Sequence, residues 1–184
     1  SVVSSTASGS SSTLQELKEG FALVKTNQGL LSILGVTVVA NFFLFSYFPA
    51  VQRIGDRLDA SPSQVGLIAA MTGFGMMTGS LVTGLWEPKR RGRVYIGGVA
   101  FGLLVLITFG LSNSVPMAAF TLFVAATGGG FFGATQSTLV LTTVSDQMRG
   151  RAMGLLSMAI GALPVGTFVL VELAEPLGAP LAVV

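Results

Sequence analysis

The chain has 184 residues, of which 51% are hydrophobic and only 10% are charged, and it contains no His and no Cys. A soluble domain usually carries about 25% charged residues, so this chain has too few charges for a surface that faces water all round. The composition therefore predicts a membrane protein and excludes disulfides, thiol chemistry and metal sites built from Cys or His. The net charge of +2 does not indicate nucleic-acid binding, because the basic residues form short clusters between apolar segments.

Two segments at the start of the chain are not expected to cross a membrane. Residues 1–13 are polar and rich in Ser, which is typical of a flexible linker. In residues 14–28, apolar side chains recur at spacings of three and four between charged ones, which predicts an amphipathic helix at the membrane surface. Residues 29–184 are predicted to form a bundle of membrane helices.

Five apolar segments in this bundle are long enough to cross the hydrocarbon core of a bilayer. The fold class expected is therefore all-α, a polytopic membrane helix bundle with five transmembrane helices. Ser61, Pro62 and Gln64 form a capping-box pattern at the start of the second segment, and Pro49 is expected to end the first. The five segments cover residues 30–48, 65–86, 94–111, 117–144 and 152–171, and residues 177–184 are expected to start a sixth.

The basic residues are distributed unevenly between the two sides of the predicted bundle. Eight of the ten Lys and Arg residues precede the first segment or follow the second and the fourth. These positions fall on one side of the membrane, since successive segments cross in opposite directions. By the positive-inside rule this side is cytoplasmic, so the N-terminus of the chain is predicted to be cytoplasmic.

The loop between the second and third segments is short and strongly basic. It follows a stretch in which Gly79 and Gly84 allow close helix contact, and it contains four Lys and Arg residues between positions 89 and 93. Such a loop can anchor the protein at the membrane surface, and it can also pair with helix C-termini or carboxylates. The residues alone leave both roles open.

This stretch resembles the signature of the major facilitator superfamily, Gly-x-x-x-x-Gly-x-x-x-Asp-Arg-x-Gly-Arg, which lies between the second and third helices of each half of these transporters. The position of the signature Asp is occupied by Pro88, with Glu87 beside it, and this resembles the degenerate copy usual in the second half. Five residues match the signature, the last two displaced by one position: Gly79, Gly84, Lys89, Gly92 and Arg93.

Two further stretches resemble the branch of the superfamily that contains bacterial siderophore and drug exporters, the enterobactin-exporter-like group. Residues 16–21, with Asn27, resemble the surface helix before the seventh transmembrane helix, and residues 145–154 resemble the loop between helices ten and eleven. The resemblance implies the C-terminal half of a twelve-helix transporter in the bacterial inner membrane, whose partner is a missing N-terminal six-helix half. Residues 1–13 would then end the central cytoplasmic loop.

The resemblance also implies a cytoplasmic gate built from the basic loop and from the loop before the fifth segment. Asp146 precedes that segment, where a carboxylate favours the positive end of a helix dipole, and Arg149 and Arg151 are near enough to pair with it or with lipid phosphate. Capping and anchoring alone remain the alternative. The gate candidates are Gly79, Gly84, Glu87, Lys89, Gly92, Arg93, Asp146, Arg149 and Arg151.

Few polar side chains lie within the predicted spans. Asn41 lies near the middle of the first and Gln136 well inside the fourth, where an amide needs a partner in the bundle or in a wet cavity. We expect them to line a substrate cavity with Phe45, Thr72 and Thr135, and hydrogen bonding between helices is the alternative. No charged residue lies in the middle of a span, so a titratable group for proton coupling would belong to the missing half.

A glycine-rich stretch in the fourth segment matches the dinucleotide-binding pattern G-x-G-x-x-G, but it lies inside an apolar span rather than between a strand and a helix. Gly129 and Gly133, and also Gly98 and Gly102, instead have the small-xxx-small spacing of close helix packing. Pro164 within the fifth segment predicts a kink that could act as a hinge.

Together these features predict secondary active transport, with export of a small amphiphilic molecule of drug or siderophore type by alternating access. The expected partners are the lipid bilayer, the missing half and a small-molecule substrate, without nucleic acid, metal or cofactor. The alternative is a non-transporting membrane remnant or scaffold from a truncated gene product. An intramembrane enzyme is disfavoured, because the spans hold no catalytic constellation.

Overall fold

The structure of the protein, a computed structural model, describes residues 25–177. The predicted linker, most of the predicted surface helix and nearly all of the expected sixth span lie outside the described residues. The described chain is helical between short turns, and five segments are long and apolar enough to cross a membrane. The prediction of an all-α bundle with five spans is confirmed. The spanning segments are Gln28–Arg57, Pro62–Trp86, Arg91–Gly110, Val115–Thr143 and Asp146–Val169.

Three of these spans are single helices, whereas the first and the last are each interrupted. In chain order the elements are α1 (Gln28–Val39), a π-helical turn (Ala40–Leu44), α2 (Phe48–Arg57), α3 (Pro62–Trp86), α4 (Arg91–Gly110), α5 (Val115–Thr143), a 3-10 turn (Asp146–Met148), α6 (Arg149–Ile160) and α7 (Ala162–Leu177).

The first span differs from its prediction at Pro49. The sequence predicts that this proline ends the span, but the structure continues it as α2 to Arg57. Pro49 is the second residue of α2, where the N–H that it lacks would have no partner within the helix. Arg57 then donates hydrogen bonds to the carbonyl oxygens of Gly110 (3.1 Å) and Ser112 (2.5 Å). These bonds satisfy carbonyl groups that the end of α4 would otherwise leave unpaired.

Helix α3 begins as the sequence predicts. Ser61 Oγ accepts a hydrogen bond from the Gln64 N–H (3.4 Å), and Gln64 Oε1 accepts one from the Ser61 N–H (2.8 Å). This reciprocal pair satisfies two N–H groups at the helix start, so the capping box is confirmed. The helix ends at Trp86, and the next residue, Glu87, has a left-handed φ of 43° that turns the chain into the basic loop.

Helix α5 is the central helix of the described bundle, and it packs against α3 and α4. At the contact with α3, a Cβ at Gly130 would collide with the Met76 carbonyl oxygen, and one at Gly79 would collide with the Thr127 carbonyl oxygen. The two backbones therefore lie closer together than any side chain at these positions would allow.

The contact between α4 and α5 follows the same principle. A Cβ at Gly98 would lie 2.6 Å from the Gly128 carbonyl oxygen, and one at Gly102 would lie 3.0 Å from the Ala125 carbonyl oxygen. The prediction that Gly98 and Gly102 mediate close helix packing is confirmed. Their partner on α5 is Gly128, which the spacing argument did not single out.

The corresponding prediction for Gly129 and Gly133 is only half right. A Cβ at Gly129 would lie 3.2 Å from the ring of Phe45, so this glycine makes room for an aromatic side chain rather than for a helix backbone. A Cβ at Gly133 would have no described atom within 4 Å, because that side of α5 is exposed. The small-xxx-small spacing therefore does not mark a packing face at Gly133.

The two ends of the bundle carry different polar contacts. The loop between α3 and α4 lies near the end of α5, since Glu87 and Thr138 border the same cleft. The start of α1 lies there too, because Asn27 Nδ2 donates a hydrogen bond to the Thr143 carbonyl oxygen (3.1 Å). We call this the basic end. Arg57 and the end of α4 lie at the opposite end.

Gly130→Ala is expected to lower the melting temperature of the purified protein, because the added methyl group would force α3 and α5 apart. Overpacking of this kind costs about 1–3 kcal/mol. Gly133→Ala is the matched control on the same helix, where Ala should be neutral or stabilising by about 0.5–1 kcal/mol. Equal melting temperatures for the two variants would contradict the packing described above.

Candidate functional site

A buried polar network joins three of the spans near the basic end. The hydroxyl groups of Thr37 on α1 and Tyr95 on α4 lie 2.6 Å apart, and each lies 2.9 Å from the Ile33 carbonyl oxygen. Gln136 on α5 donates a hydrogen bond from Nε2 to Thr37 Oγ1 (3.2 Å). The Tyr95 ring stacks on Phe132 with centroids 4.8 Å apart. In this structure Gln136 therefore makes a contact between helices.

Asn41 lies close to this network but forms its bonds within the first span. The side-chain Nδ2 of Asn41 donates a hydrogen bond to the Thr37 backbone carbonyl oxygen (2.9 Å), and the backbone carbonyl oxygen of Asn41 accepts one from Ser46 Oγ (3.0 Å). Asn41 belongs to the π-helical turn, and such turns occur frequently at functional sites. Its side chain is buried and satisfied in this conformation, as is every buried polar side-chain atom of the described residues.

Thr72 and Phe45 line a small crevice between the first span, α3 and α5. The Tyr47 hydroxyl donates to Thr72 Oγ1 (2.9 Å), which connects the start of α2 to α3. Phe45 packs on Phe132 with ring centroids 5.8 Å apart. The accessible volume of the crevice is about 10 Å³, enough for roughly one water molecule. This crevice could hold a substrate only after the helices around it separate.

Thr135 lies apart from the other cavity candidates. Its hydroxyl bonds to carbonyl oxygens of its own helix, at Phe131 (2.9 Å) and Phe132 (3.2 Å). It borders a polar cleft of about 240 Å³ between α3 and α5, which opens at the basic end. The polar residues along this cleft are Ser80, Thr83, Glu87, Arg91, Thr135 and Thr138.

Glu87 lies at the start of the basic loop, between the gate candidates at the end of α3 and those that follow it. The left-handed conformation of this residue is unusual for a side chain other than Gly, Asn or Asp, and its N–H donates to the Thr83 carbonyl oxygen (3.1 Å). Glu87 borders both the polar cleft and a second groove that contains Lys89 and Arg93. Gly84 and Gly92 are exposed, and a Cβ at either would meet no described atom within 4 Å. Close packing within the described bundle therefore does not explain these two glycines.

The gate candidates before the fifth span form a local cluster. Asp146 Oδ1 and Arg149 Nη2 are 2.9 Å apart, and both side chains are well exposed. Arg151 Nη1 lies 3.6 Å from the sulfur of Met148. An exposed ion pair stabilises a fold by at most about 1 kcal/mol, so this pair adds little to the stability of the bundle.

The interruption of the fifth span lies at Gly161, three residues before the predicted kink. Pro164 is the third residue of α7, where a proline costs the helix no hydrogen bond. Gly166 packs against Phe42 and Ser46, and Ser46 Oγ also donates to the Leu163 carbonyl oxygen (3.4 Å). The broken parts of the first and fifth spans are thus in contact. A hinge function of Pro164 stays a prediction.

Sequence reasoning missed Thr37 and Tyr95, which are the centre of the polar network. Tyr95 is the second residue of the predicted third segment, where tyrosine is ordinarily an interfacial anchor. Thr37 resembles the many other threonines that bond within their own helix. Only the presence of Gln136 at a matching depth on another span could have suggested that these hydroxyls form hydrogen bonds between helices.

Comparison with known proteins identifies the family of this helix bundle. The family model described as Major Facilitator Superfamily matches residues 31–173, which is more than half of the chain. The chain belongs to the major facilitator superfamily. The matched part covers most of the first span and the other four spans in full. Members of this family are membrane transporters rather than enzymes.

Two relatives show the branch of the superfamily. Macrolide efflux protein A of Streptococcus pyogenes is 23% identical over 177 residues, which cover 90% of this chain and 42% of that protein. Macrolide efflux protein A of Enterococcus faecalis is 23% identical over 165 residues, which cover 83% of this chain and 49% of that protein. The resemblance to drug-efflux members is confirmed, and the chain spans less than half the length of these curated relatives. No solved structure matches the chain.

Tyr95→Phe is expected to lower the melting temperature of the purified protein while leaving the stacking on Phe132 intact. The variant removes only the hydroxyl that bonds to Thr37 and Ile33, and a hydrogen bond between membrane helices contributes about 0.6 kcal/mol on average and up to about 1.7 kcal/mol. Thr78→Val is the control, because that exposed hydroxyl bonds only to the Phe74 carbonyl oxygen of its own helix. An unchanged melting temperature for Tyr95→Phe would show that the network does not stabilise the bundle.

Proposed function

We propose that the chain is part of an exporter that moves a small amphiphilic drug, such as a macrolide, out of the cell across the bacterial inner membrane by alternating access. Membership of the superfamily carries this proposal, and the names of the relatives favour a drug over a siderophore. The chain spans under half of those relatives, so transport would require a second half, with the substrate site between the two halves.

An unpartnered face of α3 supports the proposal of a second half. The face is a stripe of small residues, all exposed in this chain, and a Cβ at its glycines would meet no described atom within 4 Å. Small residues allow membrane helices to approach closely, as they do at the contact between α3 and α5. The stripe consists of Gly66, Ala70, Gly73 and Gly84, with the exposed side chain of Met77 between the last two.

The polar network and the basic end supply candidate parts for alternating access. We propose that Asn41, Gln136, Thr72, Thr135 and Phe45 face the substrate once the spans separate. We propose the loop at Glu87 and the pair of Asp146 and Arg149 as the cytoplasmic gate. Support comes from the cleft of about 240 Å³ between α3 and α5, which is bordered by Glu87, Pro88 and Arg91 of the loop region.

The proposed orientation can be tested by labelling single cysteines in intact cells, since the chain contains no Cys of its own. Arg90→Cys at the basic end should react with a membrane-impermeant maleimide only after the cells are opened. Asn113→Cys, in the loop between α4 and α5 at the opposite end, should react in intact cells. Both side chains are exposed, so accessibility within the fold is matched. The reverse labelling pattern would invert the orientation and remove the proposed gate from the cytoplasm.

The export function can be tested with the full-length protein in a bacterial strain that lacks its own macrolide efflux. Radiolabelled erythromycin is the probe, and expression should lower its accumulation severalfold. Gln136→Ala and Asn41→Ala should restore accumulation toward the level of the empty strain, because each removes an amide proposed to face the substrate. Thr78→Val is the matched control and should export like the wild type.

The outcomes separate the proposed function from the alternative. If the full-length protein is expressed normally in the membrane but does not change the accumulation of erythromycin, the non-transporting remnant or scaffold is favoured. Normal export by both Gln136→Ala and Asn41→Ala would retain the function but remove these two residues from the cavity. A loss of export with an unchanged melting temperature would place the defect in substrate handling rather than in folding.

A further inference from the structure

The groove at the basic loop combines cationic and apolar residues at the end of two membrane spans. It has a volume of about 470 Å³ and is lined by Trp86, Glu87, Pro88, Lys89, Arg90, Arg93 and Val94. Because α3 ends at Trp86 and α4 begins at Arg91, the groove lies at the boundary between water and lipid. This position holds whichever side of the membrane the loop faces.

The cations of this groove outnumber its carboxylates by three to one. Lys89, Arg90 and Arg93 form no ion pair with any residue in the described part of the chain, and Glu87 is the one carboxylate among the residues that line the groove. Helix α4 starts beside them without a side-chain cap at Arg90 and without an acidic residue in its first turn. Its first N–H groups therefore add positive potential to that of the three side chains.

The apolar part of the groove faces lipid. Trp86 is 68% exposed and its neighbour Leu85 is 87% exposed, although both belong to the last turn of a membrane span. Tryptophan at this depth is typical of an interface anchor, with its ring beside the glycerol region of the bilayer. An occupant of the groove must therefore offer negative charge and an apolar chain together.

We propose that this groove binds the headgroup of an anionic phospholipid. The phosphate contacts the cations of Lys89, Arg90 and Arg93, and the acyl chains pass over Trp86 and Leu85. Guanidinium groups bind phosphate oxygens with paired hydrogen bonds, and basic residues just outside a membrane helix attract anionic lipids. The inference rests only on the membrane-spanning fold and does not require that the protein transports a drug.

The test uses the fluorescence of Trp86, the only tryptophan of the chain. Full-length protein is reconstituted in vesicles of phosphatidylcholine and phosphatidylglycerol at 3:1, in which one lipid or the other carries brominated acyl chains that quench tryptophan. The Trp86→Phe variant gives the background from any tryptophan elsewhere in the full-length protein. Brominated phosphatidylglycerol is expected to quench Trp86 more strongly, mole for mole, than brominated phosphatidylcholine.

Charge variants identify the groove as the cause of this preference. Arg90→Gln should reduce the preference about fivefold, since each basic residue near a lipid surface contributes roughly that factor. The triple variant, in which Lys89→Gln and Arg93→Gln are combined with Arg90→Gln, should show no preference. Arg53→Gln is the control, because it removes the same charge from the opposite end of the bundle.

Each outcome decides for or against the proposal. Equal quenching by the two brominated lipids in the wild type, or a preference that survives in the triple variant, would overturn it. Loss of the preference on addition of inorganic phosphate at 10 mM, with ionic strength held constant, would indicate a site for a free anion and would also overturn it. Where the triple variant does not fold, Arg90→Gln decides: an unchanged preference contradicts the lipid site, and a reduced one supports it.

Discussion

Close contacts at three successive glycines of α5 determine how the described spans are arranged around this helix. Gly128 faces α4, Gly129 faces the Phe45 ring of the first span, and Gly130 faces α3. Because successive residues of a helix point about 100° apart, three adjacent glycines open three different sides of one helix. In a bilayer, apolar side chains gain little from leaving lipid, so association depends on van der Waals contact and hydrogen bonds at short range. The backbones of α3 and α4 can therefore approach α5 closely only where it lacks side chains.

The two interrupted spans show a second consequence of the lipid environment. A break in a membrane helix frees backbone groups that lipid cannot satisfy, so it must be covered by protein. At the end of the π-helical turn, the Phe45 N–H donates a hydrogen bond to the Ala40 carbonyl oxygen (3.0 Å). Ser46 Oγ is within hydrogen-bond distance of two backbone carbonyl oxygens, that of Asn41 in the first span and that of Leu163 in the fifth. Gly166 allows this contact, since a Cβ there would collide with the Phe42 carbonyl oxygen. Each break is thus covered by the other.

Sequence patterns predicted what depends on neighbours along the chain and failed where the decisive partner is on another helix. The number of spans and the capping box at Ser61 follow from local composition, and both are found. The sequence predicts that Pro49 ends the first span, whereas Pro49 lies at the start of α2; a proline at a helix start and one after a helix end look alike without φ and ψ. Gly133 was grouped with Gly129 by spacing, although only contact with another element distinguishes a packed glycine from an exposed one. For the same reason Tyr95 could not be recognised as the partner of Thr37.

The polar network restricts how the candidate cavity could open. The Thr37 hydroxyl accepts a hydrogen bond from the Gln136 side-chain amide, and the Thr37 backbone carbonyl oxygen accepts one from the Asn41 side-chain amide. One residue of α1 is thus the acceptor for the NH₂ groups of both buried amides. A ligand can favour a second conformation only through contacts that differ between the two states. If α1 moves away from α5, the Gln136 amide loses its acceptor in an apolar span, and a polar group of the substrate can replace it. The same amide would then hold the bundle closed in this state and contact substrate in the other, so a structural role and a cavity role for Gln136 are compatible.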